Sequence, residues 1–337
     1  MESTTQTLVL SCAVLESAQC KGNMELFSAM KVAMLESFIK LSISTKVKPE
    51  DYTVELCEPL LKGLTHVEFK GVLLPALNKA MLRSPEIILC SVGQVLGLVK
   101  LDLSQYAAEL GKPIAACLHS KEDTTRDDAV NAAESLARQC SDVSALRCLL
   151  TCFVGVLQGS EGKLTVTSHK ISVLDGIGRL SKHCVTGASA HQLSVEAAEH
   201  FVKVLESEVH EGTLLKALDV LGLWTTRFSS ALPKALLDLF KKSVTLKTST
   251  PAIRTSYVRC MASSLHGESM AQGSELVPTL LKCLERTVAQ PTQVSIVSEG
   301  LAASVLLLSL ATYDAKVNAL NQISTYTSGV EWYVNQT

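Results

Sequence analysis

Residues 159–164 read GSEGKL, and they carry the glycine and lysine types from which phosphate-binding loops are built. Such a loop needs a glycine five residues before its second glycine and a hydroxyl side chain after its lysine, because that hydroxyl holds magnesium. Here Leu157 occupies the first of these positions and Leu164 the last. The stretch therefore predicts a turn before a helix.

Other residues that could do chemistry also lack a working arrangement. Gly176 and Gly178 lack the third glycine of a dinucleotide-binding loop, so we interpret them as small residues that let two helices pack closely. No H-E-x-x-H pattern is present, and His183 and Cys184 are adjacent, so they point to different faces of a helix. We predict no catalytic, cofactor-binding or metal-binding residue, no small-molecule substrate and no enzyme activity.

One charged stretch does indicate a binding site. Between residues 227 and 259 the acid Asp238 stands against seven basic residues, namely Arg227, Lys234, Lys241, Lys242, Lys247, Arg254 and Arg259. Two of them, Lys241 and Lys242, would lie in the last turn of a helix, where cations stabilise the helix dipole. Our hypothesis is that the seven side chains line one ridge that faces RNA or an acidic protein; an ordinary solvated surface is the alternative.

The elements that would position these residues are helices. Apolar residues recur at steps of one, three and four in 124–140, 145–158, 210–228 and 230–243, and no comparable stretch alternates with period two. Aromatic residues make up only 4% of the chain, while leucine and alanine are abundant. Both observations predict an all-α protein.

The predicted helices recur with a period of roughly 40 residues, which is typical of HEAT and armadillo repeats. Two helices in each repeat favour HEAT, so we predict a right-handed superhelical solenoid of antiparallel helix pairs. A leading helix at 3–20 and about seven pairs would form one continuous array over residues 1–312. Predicted starts of the inner helices are 49, 84, 124, 164, 210, 249 and 293, and those of their partners 24, 65, 104, 145, 190, 230 and 274.

Residues 313–337 form an atypical C-terminal tail that we expect to be partly helical or disordered. Neither end of the array has the polar terminal repeat that a solenoid needs, so we expect the chain to be a fragment or an alternative product of a longer solenoid. The formal net charge of -2 gives no general attraction to nucleic acid or to acidic membranes.

Composition also bears on the compartment. The 11 cysteines include no C-x-x-C pair and lie among apolar neighbours, as buried thiols in a reducing compartment do. The N-terminus lacks the basic start of a secretory signal, and the apolar run at 301–311 is too short to cross a bilayer. We predict a cytoplasmic protein without membrane contact.

Several long strings resemble one known family. They are DLSQYAAELGKPIAACL (102–118), LARQCSD (136–142), GSEGKLTVTSHKISVLDGIG (159–178), EVHEGTLLKALDVLGLW (208–224), FKKSVTLKTST (240–250) and TQVSIVSEGLAASVLLLSL (292–310). Together they are similar to the N-terminal HEAT region of the translational activator general control non-derepressible protein one. The likeness runs from about residue 20 to about residue 312 and stops before the tail.

The resemblance implies a segment of a very large cytosolic solenoid that docks on translating ribosomes, through ribosomal proteins, rRNA or both. Members of this family sense stalled or collided ribosomes and promote activation of the kinase of initiation factor 2 alpha in amino-acid starvation. That kinase would be engaged only indirectly, through family regions that this chain lacks. A generic HEAT adaptor for complex assembly or transport is the alternative; a helical-array hydrolase or transferase ranks third.

Overall fold

A computed structural model describes residues 2–20, 24–49, 51–160, 162–184, 187–228, 230–246 and 249–310. All regular elements in these ranges are helices, and neighbouring helices pack in pairs. The predicted all-α, HEAT-like solenoid class is thereby confirmed. The chain divides into two compact units, Met1–Cys184 and Val185–Thr337, so a single continuous array over residues 1–312 stays a prediction. The predicted tail, 313–337, lies outside the described residues.

The first unit contains eleven described α-helices. They are α1 (Glu2–Cys20), α2 (Met24–Phe38), α3 (Asp51–Leu56), α4 (Glu58–Lys62), α5 (His66–Glu68), α6 (Leu74–Arg83), α7 (Pro85–Leu98), α8 (Ala107–Ala116), α9 (Asp123–Arg138), α10 (Val143–Gln158) and α11 (Thr167–Ser181). A π-helical turn extends α2 over Ile39–Ile43, and another separates α5 from α6. Short 3-10 turns precede and follow α8.

The second unit continues the same alternation over its described residues. Its helices are α12 (Ala188–Ser207), α13 (Glu211–Thr225), α14 (Lys234–Thr245), α15 (Pro251–Ser264), α16 (Val277–Ala289) and α17 (Val294–Leu310). A 3-10 segment, Gly267–Leu276, runs directly into α16.

Local sequence signals explain where some of these helices start. The Asp142 carboxylate accepts the backbone N–H of Ser144 at the start of α10, and the Thr250 hydroxyl accepts that of Ile253 at the start of α15. Inner helices begin within three residues of their predicted starts, and the largest difference is Thr167 against residue 164. The 40-residue recurrence is therefore a property of the fold.

Each unit packs its helices in two rows. In the first unit α7, α9 and α11 pack on one another in succession, and α6, α8 and α10 form the other row. In the second unit α13, α15 and α17 form one row, and α12, α14 and α16 the other. Each helix therefore contacts its partner and its neighbours in the row, which is how stacked repeats bury apolar faces that a single pair leaves open.

The two glycine segments of the sequence have the structural roles that were predicted. Gly159 ends α10 with a φ of 89°, a left-handed conformation that suits glycine, and the chain turns there before α11. A Cβ atom on Gly176 would lie only 2.3 Å from the Phe153 ring of α10, so this glycine permits the close approach of α11 and α10. Both positions serve packing and chain reversal.

Candidate functional site

Helix α14 presents lysines along one side. Pro233 precedes the helix with a φ of -55°, and Leu236, Leu237 and Phe240 bury the opposite side. Lys234 and Lys242 are exposed, and Lys241 is half-buried. Lys234 and Lys241 are two turns apart and Lys242 follows directly, so all three lie on the half of the helix opposite Leu236, Leu237 and Phe240. We call them the α14 lysine face.

Acidic side chains reduce the charge of the α14 lysine face. Lys241 Nζ lies 2.5 Å from Glu275 Oε2, and both side chains are partly exposed to water. Asp238 is also exposed on α14, four residues from Lys234 and four from Lys242. Such surface pairs weaken with salt, so three lysines act against two nearby carboxylates and leave a modest positive excess.

Arg259 and Arg227 are not on α14. Arg259 is exposed on α15, where it lines a shallow groove of about 280 Å³ together with Asp219 of α13. Arg227 follows the end of α13 and is half-buried, and its Nε atom is buried without a hydrogen-bond partner. The described basic residues of this stretch therefore lie on or after three different helices, α13, α14 and α15.

Arg254 was predicted to line an exposed basic ridge, but the structure buries it. The residue is only 7% exposed, and its Nε atom donates to both carboxylate oxygens of Glu299 at 2.9 Å. Its Nη1 atom donates to the carbonyl of Ser249. Burial with a paired carboxylate makes Arg254 a structural link between α15 and α17. Lys247 lies outside the described residues.

Sequence reasoning missed a second set of exposed cations. Lys40, Lys46 and Lys48 are all exposed around the loop between α2 and α3, and residues 37–49 contain no acid. The Thr45 hydroxyl orders this loop by donating to the Val47 carbonyl at 3.0 Å and accepting from its N–H at 3.1 Å. Counting charge over a 13-residue window would have found this set.

Four buried cysteine thiols are held in their protonated, unreactive form. Burial raises the pKa of Cys117 to about 11 and those of Cys140, Cys260 and Cys283 to about 12, so these thiols stay protonated near neutral pH. Cys90 is half-buried, although its apolar neighbours had indicated full burial. Among the described residues, no group of three or more His, Cys, Asp or Glu side chains could hold a metal ion.

None of the helices that the structure describes combines the length and the apolar composition needed to cross a bilayer.

The paired helices define the class: an all-α, HEAT-like helical-repeat protein. Residues 31–164 match the family model described as the N-terminal region of the stalled ribosome sensor GCN1. The chain is thus a relative of the N-terminal region of GCN1, as its sequence strings indicated.

Individual relatives agree with this family. The chain is 45% identical over 296 residues to the stalled ribosome sensor GCN1 of Homo sapiens and 44% identical to that of Mus musculus; each match covers 88% of this chain and 11% of the relative. It is also 25% identical over 292 residues to Protein ILITYHIA of Arabidopsis thaliana, over 86% of this chain and 11% of that protein. The chain spans about a tenth of these relatives.

Proposed function

We propose that this chain is a binding segment of a ribosome-associated translational regulator in the cytoplasm. The observation that carries the proposal is its 45% identity to a protein named as a stalled ribosome sensor. The segment would contribute to recognising stalled or collided ribosomes. Promotion of initiation factor 2 alpha kinase activation would require parts of the longer protein, so the kinase is an indirect partner.

The α14 lysine face gives this proposal a physical mechanism. Lys234 and Lys242 are exposed, and such lysines attract the phosphates of rRNA or acidic patches of ribosomal proteins. Arg259 and the lysines at 40, 46 and 48 supply further exposed cations. Several weak contacts on a helical-repeat surface sum to useful affinity when they engage together. The segment itself has no catalytic task in this mechanism.

Co-sedimentation with purified ribosomes across a salt series tests the proposal. We expect the chain to sediment with ribosomes at low salt, and the double variant Lys234→Glu, Lys242→Glu to bind more weakly. The slope of log affinity against log salt should fall by about one for each lysine removed from a phosphate contact. A matched control is Lys79→Glu, Lys112→Glu, which reverses two exposed lysines on α6 and α8.

Three outcomes would contradict parts of this proposal. Equal loss of binding in both double variants would show a nonspecific charge effect instead of a site on α14. Binding to an acidic protein but not to ribosomes would favour the alternative, a generic HEAT adaptor. Absence of ribosome binding in the unmodified chain at low salt would leave this region as a structural spacer between other binding regions.

A further inference from the structure

Among the residues that the structure describes, helix α17 is packed on one side only. Ile296, Ala303 and Leu307 are buried, and α17 contacts α15 and α16. Glu299 points to α15, where it meets Arg254, and a Cβ on Gly300 would touch Thr287 of α16. The opposite face of α17 is turned away from these contacts.

That face carries large apolar side chains in contact with water. Val294, Val297, Leu301 and Val305 have exposures of 83%, 39%, 66% and 62%. They are separated by three or four residues, so they form one continuous line along the helix. We call this line the α17 apolar stripe.

The earlier helices of the same row differ in this respect. Within α13 and α15, which the structure describes completely, only Leu223 is a large apolar side chain of comparable exposure, at 41%. Helix α15 packs on α13, and α17 packs on α15. Helices α13 and α15 are therefore each covered by the next helix of the row. The α17 apolar stripe lies on the side where the next element of the row would pack, and exposed apolar surface of this extent marks an interface.

We propose that residues 311–337 of this chain dock on the α17 apolar stripe. These 27 residues follow Leu310 directly, so they are present at high effective concentration. Their sequence places Tyr313, Val317 and Leu320 at steps of four and three, which suits an apolar helical face. The 27 residues contain three charged side chains, Asp314, Lys316 and Glu331, a composition compatible with an apolar surface.

Tryptophan fluorescence of the full chain tests this docking. The chain has two tryptophans, Trp224, which is fully buried, and Trp332, which lies in the docking segment. Subtracting the spectrum of a Trp332→Phe variant from that of the unmodified chain isolates Trp332. We expect blue-shifted emission from Trp332 and about threefold slower acrylamide quenching than for free tryptophan, because docking removes the ring from water.

Substitution of the stripe should release the segment. In the double variant Leu301→Glu, Val305→Glu, Trp332 should shift to the emission and quenching of free tryptophan. The matched control, Leu82→Glu, Val209→Glu, also changes two apolar side chains that are mostly exposed and should leave Trp332 protected. All four substituted side chains are exposed, so the fold should persist, and far-ultraviolet circular dichroism checks that it does.

Other results would overturn the proposal. Free quenching of Trp332 in the unmodified chain would show that residues 311–337 do not cover the stripe. Protection that the stripe variant leaves unchanged would place Trp332 elsewhere. A stripe-dependent dimer in sedimentation equilibrium, with protection of Trp332 only at dimer concentrations, would make a second copy the occupant.

Discussion

Glu299 is fully buried, and its carboxylate accepts hydrogen bonds from two arginines on different helices. Arg254 of α15 donates to both of its oxygens at 2.9 Å, and Arg286 of α16 donates from Nε to Oε1 at 3.0 Å. Arg286 also reaches the carbonyl of Val244 near the end of α14, at 3.1 Å. One carboxylate therefore joins the last two helix pairs that the structure describes in the second unit.

Glu299→Gln tests this role, because glutamine keeps the shape and removes the charge. We expect the free energy of unfolding to fall by about 3 kcal/mol, since the buried Arg254 loses its compensating charge. Urea unfolding followed by circular dichroism measures the change. Glu285→Gln, at an exposed position on α16, is the control and should stay within about 0.5 kcal/mol. A loss below about 1 kcal/mol for Glu299→Gln would contradict the prediction.

Arg254 also shows which part of the candidate site a charge count can find. The count identified Lys234 and Lys242, because exposed lysines need no partner to remain on the surface. It placed Arg254 wrongly, because Glu299 stands 45 residues later and falls outside any local window. Only the stacking of α15 on α17 brings the two side chains together.

At the scale of single helices, Gly176 sets how closely α11 approaches α10. Gly176→Ala should raise the helix propensity of α11, yet the new methyl group would collide with Phe153. We expect a net destabilisation of about 1 to 3 kcal/mol, because a packed interior resists added volume. Thermal or urea unfolding of the variant measures it.

Gly97→Ala on α7 is the matched control. A Cβ there would meet only Ser135 Oγ, at 3.6 Å, which is an ordinary contact. This substitution should be neutral or should stabilise by up to about 1 kcal/mol. Equal effects at the two glycines would show that close packing does not determine the outcome at Gly176.

Helix starts were predictable where the chain carries local signals, as at Asp142 and Thr250. The start of α14 was predicted at residue 230 but lies at Lys234. Residues just before Pro233 form hydrogen bonds with other repeats and do not join the helix. Ser230 Oγ lies 2.7 Å from His191 Nε2, and the Leu232 N–H donates to Gln272. Contacts between repeats decide such boundaries, and no local pattern records them.

At the scale of the whole molecule, a destabilising substitution should affect mainly the repeats near it. Ala133 is buried on α9, so Ala133→Asp places a charge in the first unit and should destabilise it by roughly 3 kcal/mol or more. In a repeat array each repeat depends on its neighbours, so the effect should decline along the chain. Hydrogen exchange should show faster amide exchange in α7, α9 and α11 and little change in α15 and α17.

The exposed neighbour Asn131 provides the control for this experiment. Asn131→Asp adds the same charge on the water side of α9 and should leave amide exchange nearly unchanged. Uniformly faster exchange in both units of the Ala133→Asp variant would mean that the chain unfolds as one cooperative block, against the prediction.

Three of the polar links between successive inner helices have nearly the same spacing in sequence. Arg126 Nε donates to Ser172 at 3.3 Å across 46 residues, Arg179 to Glu134 at 3.1 Å across 45, and Arg254 to Glu299 across 45. A substitution of one side chain in such a pair changes which side chain at the other position can form the hydrogen bond. The consequence is evolutionary: compensating substitutions should accumulate between positions about one repeat apart, so inherited variation in this chain carries a record of its own stacking.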